Sequence, residues 1–290
     1  MYYFLSKNRS AAATADVVHR LNLCRKIKSS DNEGMPVVCV NGAKGICVAV
    51  TNTGTDTGTG TNIGYENKKG NPMLDGRLTI TKELFHEPVP YDVTEKTLDL
   101  AIKNGYTVNY YVDHIIYAQS SETLHEQCIQ AYMDLTGVNI TKISEGDNYS
   151  EAKKLGLPSK LLVLTGKEKL DEAVTFFKKE LANDATVIRG SPPFFVEILN
   201  KTVCKGFGLQ RMCQVFDVPL EQTIAFGDGD NDAEFIQMAG LGIAMKNARQ
   251  NIKDLADDIT EFTNAEVRMY EFIPTSFVKT MILKCLNQLK

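Results

Sequence analysis

Short apolar runs alternate with stretches of helical spacing along most of this chain. Met35–Val40, Lys160–Thr165 and Thr223–Phe226 predict buried strands, whereas Thr94–Asn104 and Phe207–Phe216 predict helices. Apolar strands that are bounded by glycine and alternate with helices are typical of a parallel α/β sheet. The hydrophobic pattern therefore predicts an α/β fold.

Other stretches predict how this fold is organised. Residues 91–186 have their own alternation of strands and helices and form a predicted module. Tyr2–Leu5 predicts a strand, and Ala11–Leu23 and Ser276–Leu289 predict helices. Thr51–Asn62 consists mainly of threonine and glycine with little apolar anchorage, which predicts a surface loop.

The candidate chemistry is concentrated in the sequence TIAFGDGDND, Thr223–Asp232. A predicted strand ends at Gly227, and Asp228, Asp230 and Asp232 follow in the turn. Ligands of open parallel sheets bind beyond the carboxyl ends of the strands. Three clustered acids repel one another unless a cation or protons intervene, and oxygen ligands of this kind suit Mg²⁺ completed by water and phosphate.

The acidic turn has two other interpretations. A solvated loop is common for such sequences, and an EF-hand loop also has alternating acids. Counting from Asp228, however, the glycine position of an EF-hand holds Ala233 and its closing glutamate position holds Ala239, which excludes that motif. Lys205, at the start of a predicted helix, favours phosphate chemistry because a lysine can neutralise phosphate and carboxylates together.

Composition excludes several classes of function. The 290 residues are 43% hydrophobic and 23% charged, with a net charge of -4, which gives no electrostatic case for binding nucleic acid or anionic membranes. No apolar run approaches the roughly 20 residues of a membrane helix. The seven cysteines contain no CxxC pair, and the four histidines show no metal-ligand spacing. With no secretory signal in the sequence, a cytoplasmic protein with reduced cysteines is expected.

The sequence also resembles a known family. The stretch PPFFVEILNKTVCKGFGLQRMCQVFDVPLEQTIAFGDGDNDAEFIQMAGLGIAMKNA closely resembles the C-terminal half of Cof-type phosphatases of the haloacid dehalogenase-like superfamily. Asn41-Gly42-Ala43 after a strand resembles the NGA turn of that family. The stretch PSKLLVLTGKEKLDEA resembles a strand and helix of its inserted cap domain.

The resemblance implies a Rossmann-like three-layer core with a parallel sheet, interrupted by an α/β cap domain. Residues 1–87 and 191–290 would form the core, and residues 88–190 the cap. The implied activity is Mg²⁺-dependent hydrolysis of small phosphate esters, such as sugar phosphates or related metabolites. Substrate specificity would be set by the cap.

The resemblance also implies roles for the residues of the acidic turn. Asp228 would be a Mg²⁺ ligand, and Asp232 would belong to the metal site by steadying a metal-bound water and Lys205. Lys205 would hold the phosphate and the nucleophile. Asn231 would orient the substrate or the lysine.

Further residues are implied at the N-terminal side. Asn41 and Gly42 would line the entrance to the substrate site. Tyr2–Arg9 aligns with the second strand of the family and its phosphate-binding turn. The phosphate-binding position then holds Lys7, or Ser6 with a slip of one residue.

The nucleophile motif DxDGT of the family does not occur in this sequence. In the family, its first aspartate attacks phosphorus and the second acts as acid and base. The first 40 residues contain only Asp16 and Asp31, in a predicted helix and a predicted loop. The strand that would carry the motif lies in the middle of the family's sheet, so its loss would leave two strand edges unpaired.

Three hypotheses follow for the missing motif: an N-terminally truncated phosphatase, a catalytically dead homologue that binds a phosphorylated metabolite or a protein, or an enzyme with a replacement nucleophile. The intact acidic turn and Lys205 favour the first, since a dead site has no evident reason to retain mutually repelling acids. The degraded turn at Ser6–Asn8 favours the second. Negligible turnover and self-association of the 290-residue chain are expected.

Overall fold

The computed structural model describes residues 5–6, 35–51, 61–62, 77–113, 115–119, 123–136, 139–144, 146–190, 194–261 and 263. Most of the predicted strand Tyr2–Leu5 and all of the predicted helices Ala11–Leu23 and Ser276–Leu289 lie outside these residues. The chain divides into two compact units, Met1–Val203 (unit 1) and Cys204–Lys290 (unit 2), which are described separately.

After residue 90, the described residues form helices that alternate with single strands or with pairs of consecutive strands. The helices are α1 (Tyr91–Lys103), α2 (Thr123–Thr136), α3 (Ser150–Leu155), α4 (Leu170–Glu180), α5 (Lys205–Val215), α6 (Ala233–Met238) and α7 (Gln250–Leu255). The strands are β1 (Leu5–Ser6), β2 (Met35–Cys39), β3 (Lys44–Thr51), β4 (Thr61–Asn62), β5 (Arg77–His86), β6 (Thr107–Val112), β7 (Ile115–Gln119), β8 (Thr141–Ile143), β9 (Lys160–Leu164), β10 (Ala185–Arg189), β11 (Phe195–Asn200), β12 (Ile224–Gly227), β13 (Leu241–Ala244) and β14 (Asp258–Ile259).

The first sheet of unit 1 has the strand order β1-β2-β3-β5-β4. Strands β2 and β3 form an antiparallel hairpin around a short 3₁₀ turn, Val40–Gly42. Thr51 ends β3, and Thr61 and Asn62 pair with the long strand β5. The loop prediction was therefore wrong at both ends of Thr51–Asn62, because β5 offers backbone partners there and β-branched threonines suit a strand.

The second sheet of unit 1 has the order β10-β11-β9-β6-β7-β8, and β7–β8 is the parallel pair among its described strands. One face packs on helices α1, α3 and α4, in a core that includes Leu98, Tyr110 and Phe177. The opposite face contributes Tyr111 and Leu162 to a second apolar cluster with helix α2. The sheet continues through β11 to Asn200, past the predicted domain boundary at residue 190.

Unit 2 contains a parallel sheet with the order β12-β13-β14, as the sequence pattern predicts. Helix α6 packs closely on this sheet because two strand positions lack a side chain. A Cβ atom at Gly242 would lie 2.3 Å from the carbonyl oxygen of Ile236, and one at Gly227 would lie 2.5 Å from Cβ of Asp232. Gly227 therefore lets the end of β12 lie directly against the acidic turn, and Gly242 lets β13 lie against α6.

Strand β12 leads to the first testable prediction. Among the described strands it pairs with β13 alone, and Ile224 on it is 37% exposed. Because an apolar strand edge is a template for association, the chain is expected to self-associate with increasing concentration. Ile224→Lys should shift sedimentation toward the monomer. Leu255→Lys, on α7 and 39% exposed, is the matched control and should not. A wild-type chain that stays monomeric at all concentrations would contradict the prediction.

Candidate functional site

The acidic turn of unit 2 is held together by one carboxylate. Asp232 is 4% exposed, and its Oδ2 atom accepts hydrogen bonds from the backbone N–H groups of Asp228 (2.9 Å) and Gly229 (3.0 Å). Residues Asp230–Asp232 form a single 3₁₀ turn that continues directly into α6. The turn is therefore closed by its own last residue.

Lys205 lies against the same carboxylate. It is the first residue of α5, whose N-terminus is capped by the Cys204 side chain accepting a hydrogen bond from the Phe207 N–H (3.3 Å). Lys205 Nζ forms an ion pair with Asp232 Oδ1, and the two side chains are 13% and 6% exposed. A Cβ atom at Gly206 would lie 2.6 Å from Sδ of Met238. Close packing of α5 on α6 therefore brings the lysine to the turn.

The middle acid of the turn has different partners. Asp230 is paired with Arg249, and its Oδ1 accepts a hydrogen bond from Asn251 (3.1 Å). Both side chains of the Arg249–Asp230 pair are largely exposed, so this pair contributes little stability. The backbone N–H of Arg249 also donates to the carbonyl of Asp228 (3.4 Å). These contacts tie the turn to the start of α7.

The donor set of the turn can be compared with what Mg²⁺ requires. Among the described residues, no group of three or more His, Cys, Asp or Glu side chains could enclose a metal ion. Mg²⁺ is commonly held by one or two carboxylates and completes its shell with waters and substrate phosphate oxygens. With both oxygens of Asp232 already bonded, Asp228 is the better candidate for direct coordination. The turn fits a Mg²⁺ ion that keeps waters and phosphate oxygens as ligands.

The remaining predicted site residues are divided between the units. Asn231 belongs to the turn, where a Cβ atom at Gly229 would lie 3.0 Å from its Oδ1. Asn41 and Gly42 are buried in the hairpin turn of unit 1, and Asn41 Nδ2 donates to Glu197 Oε2 (3.3 Å). Ser6 lies in β1, in register with Val38 of β2, and its side chain lies outside the described residues.

Sequence reasoning missed a buried ion pair in unit 1. Lys160 and Glu197 are 1% and 3% exposed, with Lys160 Nζ 3.5 Å from Glu197 Oε1 and 4.9 Å from the centre of the Tyr111 ring. Burial alone would lower the pKa of Lys160, but the Glu197 carboxylate and Tyr132 raise it above its ordinary value. The sequence contained one signal for this pair, because Lys160 and Glu197 are each the single charged residue of an otherwise largely apolar strand.

A family model described as haloacid dehalogenase-like hydrolase matches residues 74–267. The chain is 28% identical over 195 residues to the 5-amino-6-(5-phospho-D-ribitylamino)uracil phosphatase YitU of Bacillus subtilis, covering 67% of this chain and 68% of that protein. It is 39% identical over 100 residues to the phosphatase YwpJ of the same organism, covering 34% of each.

Solved structures share the fold. TM0651 from Thermotoga maritima superposes with a TM-score of 0.63 at 20% identity, covering 89% of this chain and 79% of that one. The HAD subclass IIB sugar phosphatase BT4131 gives a TM-score of 0.60 at 18% identity, covering 90% and 80%. The predicted α/β, Rossmann-like fold class is thereby confirmed. Within the described part of the chain, no helix has the length and apolarity needed to cross a bilayer.

Proposed function

Because this chain belongs to the haloacid dehalogenase-like hydrolase family, we propose that it is a Mg²⁺-dependent phosphomonoester hydrolase of small phosphorylated metabolites. The observation that carries this proposal is the largely buried Lys205–Asp232 pair beside Asp228 at the carboxyl end of β12. A lysine and carboxylates held together at a strand end provide charges of both signs for a metal ion and a phosphate.

Each residue of the turn has a distinct proposed role. Asp228 would coordinate Mg²⁺, which when bound would neutralise charge on the phosphoryl oxygens. Lys205 would contact the phosphate. Asp232 would be a positioning residue, since its carboxylate fixes the lysine and two backbone N–H groups. Asn231 would orient the substrate.

The names of the relatives support a proposal for the substrate class. YitU is named for a phosphoribityl substrate and BT4131 for sugar phosphates, so a small phosphorylated polyol or sugar is proposed here. In this proposal, residues 88–190 form the cap that sets specificity, and Asn41, Gly42 and Ser6 line the substrate site. No nucleic acid or membrane partner is proposed, and a cytoplasmic location remains a prediction.

A second candidate function is binding without turnover. The DxDGT nucleophile motif is absent from the 290 residues, and the aligned phosphate-binding turn around Ser6 is degraded. A chain with the metal and phosphate residues but no nucleophile would hold a phosphorylated metabolite, or a protein, without forming a covalent intermediate. Under this second candidate function, we expect negligible turnover of phosphate esters by this chain.

Titration calorimetry with inorganic phosphate tests the proposed site. The wild-type chain is expected to bind phosphate in the presence of Mg²⁺ and to lose most of this affinity when Mg²⁺ is omitted. Asp228→Ala should abolish the Mg²⁺-dependent part, because the proposed metal ligand is gone. Asp254→Ala, an exposed acid on α7 of the same unit, is the control and should bind as the wild type does.

Two results would decide between the candidate functions. Mg²⁺-dependent hydrolysis of p-nitrophenyl phosphate that disappears in Asp228→Ala would establish a replacement nucleophile and exclude binding without turnover. If phosphate affinity is unchanged both when Mg²⁺ is omitted and in Asp228→Ala, the proposed site is contradicted.

A further inference from the structure

A small joint links the two sheets of unit 1. One part of it is residues 86–89, which end strand β5 and lead to helix α1, and the other part is residues 158–159, which precede strand β9. The Val89 N–H donates to the carbonyl of Pro158 (2.8 Å), and Ser159 Oγ lies 2.8 Å from His86 Nε2, at hydrogen-bonding distance. Residues 86–89 and 158–159 are called the joint below.

His86 occupies a position where a second positive charge is unfavourable. It lies directly opposite Lys44 in the antiparallel pairing of β5 with β3, and Lys44 is buried. Like charges at directly opposite positions destabilise an antiparallel pair. Lys44 Nζ lies 2.7 Å from Glu83 Oε2, but the Glu83 side chain is 49% exposed, so solvent screens its charge. An imidazolium at His86 would therefore face a buried ammonium that is incompletely neutralised.

Ser159 is sensitive to the same proton. Its residue is 3% exposed, and among the described residues its hydroxyl has His86 Nε2 as hydrogen-bond partner. A neutral imidazole can accept the hydroxyl proton at Nε2, whereas an imidazolium has N–H groups at both nitrogens and can only donate. After protonation of His86, the Ser159 O–H has no acceptor there. A buried hydroxyl without an acceptor is costly, so protonation weakens the joint from both sides of this contact.

The groups around His86 together favour its neutral form. Burial lowers the pKa of His86 below its ordinary value of 6.5, and the Lys44 ammonium lowers it further, whereas the carboxylates of Glu83 and Asp113 oppose this change. The unfolded chain therefore takes up the proton at a higher pH than the folded chain does. The stabilisation by neutral His86 is complete above about pH 6.5 and is lost as the pH falls through the folded-state pKa.

We propose that His86 is a pH-sensitive switch in unit 1, which keeps the joint closed when it is neutral and opens it when it is protonated. Each sheet has its own strand pairing, and the second sheet has an apolar core on each face, so opening of the joint leaves both sheets paired. The switch requires neither phosphate, Mg²⁺ nor turnover, and it therefore does not rest on the proposed function.

Hydrogen exchange of the full chain at about pH 7.5 and about pH 5 tests this proposal, since these values lie on either side of the ordinary histidine pKa. After correction for the intrinsic exchange rate at each pH, the protection of the Val89 amide is expected to fall about tenfold at the lower pH, the effect of a buried hydroxyl without an acceptor. The Leu181 amide, which donates to the Phe177 carbonyl of α4 (2.9 Å), should keep its protection.

Three substitutions distinguish His86 from other titrating groups. His86→Gln retains a side chain that can bond to Ser159 but gains no charge, so the protection of Val89 should no longer depend on pH. Lys44→Met removes the opposing ammonium and should weaken the pH effect, whereas Asp113→Asn removes an attracting carboxylate and should strengthen it. Asp113 is exposed and has φ of 50°, which asparagine tolerates, so this variant is expected to fold even if Lys44→Met does not.

The proposal is overturned if the Val89 amide of the wild type keeps its protection at the lower pH, or if His86→Gln loses it as the wild type does. Equal losses at Val89 and Leu181 would also overturn it, because the whole unit would then be opening. Asp228→Ala should lose Mg²⁺-dependent phosphate binding and retain the pH effect at Val89. A pH effect in a chain that binds no phosphate would preserve this inference and contradict the proposed function.

Discussion

Replacing Asp232 by alanine is expected to lower the free energy of unfolding of unit 2 by about 3–5 kcal/mol, the cost of breaking a buried ion pair from one side. The substitution would leave the Lys205 ammonium largely buried without its counter-charge. It would also remove the acceptor from the backbone N–H groups of Asp228 and Gly229. The turn should therefore lose its backbone conformation as well as the negative charge of Asp232.

Urea unfolding followed by circular dichroism measures the effect of Asp232→Ala, and hydrogen exchange of residues 227–233 reports the local opening. Asp230→Ala is the control within the turn. Its pair with Arg249 is largely exposed, so a loss below about 1 kcal/mol is expected. If both substitutions lowered the free energy of unfolding equally, Asp232 would contribute no more than Asp230 to the conformation of the turn.

Replacing Glu197 by alanine is expected to destabilise unit 1 by a similar amount, about 3–5 kcal/mol. Lys160 would remain 1% exposed with no carboxylate beside it, and Asn41 would lose the acceptor of its side-chain hydrogen bond. A double substitution, Lys160→Met with Glu197→Leu, should recover most of the loss, because an apolar pair of similar volume avoids the desolvation of both charges.

The same urea titration compares the Glu197→Ala variant with the double variant and the wild type. Glu151→Ala serves as a control for loss of a carboxylate in unit 1, since Glu151 pairs with Lys154 and both side chains are largely exposed. A double variant less stable than Glu197→Ala would contradict the assignment of the loss to an uncompensated Lys160 charge.

Local sequence was sufficient to predict the strand Met35–Val40 and the strand and turn around Asp228. These features depend on residues that are near neighbours in the chain, where apolar runs, glycines and acids specify the backbone directly. The pairing of Lys205 with Asp232 was implied by the family resemblance, and the structure supplies its cause in the close packing at Gly206. The apolar pattern predicted a buried strand at Thr223–Phe226 in a parallel sheet. β12 does pair in parallel with β13, but the prediction of burial was wrong for Ile224 and Phe226, which are exposed.

The buried contacts among Asn41, Lys160 and Glu197 could not be predicted in this way. Asn41 and Glu197 are 156 residues apart in the chain, and only the pairing of β11 with β9 sets Glu197 beside Lys160. The single polar residues within the apolar strands did not indicate which face of the sheet they would occupy. They also did not indicate that they would contact one another. Short strand β4 was missed for a related reason, because its pairing is decided by β5 and not by its own sequence.

The bonding of the acidic turn changes how its survival in a lineage should be understood. Repulsion among three acids suggests that a chain without turnover would discard them, yet Asp232 closes the turn through two backbone N–H groups and Lys205, and Asp230 ties it to Asn251. Because Asp232 is largely buried and Asp230 is exposed, selection for folding alone is enough to retain Asp232. In descendants that have abandoned catalysis, Asp232 is therefore expected to persist for structural reasons after the chemistry has gone.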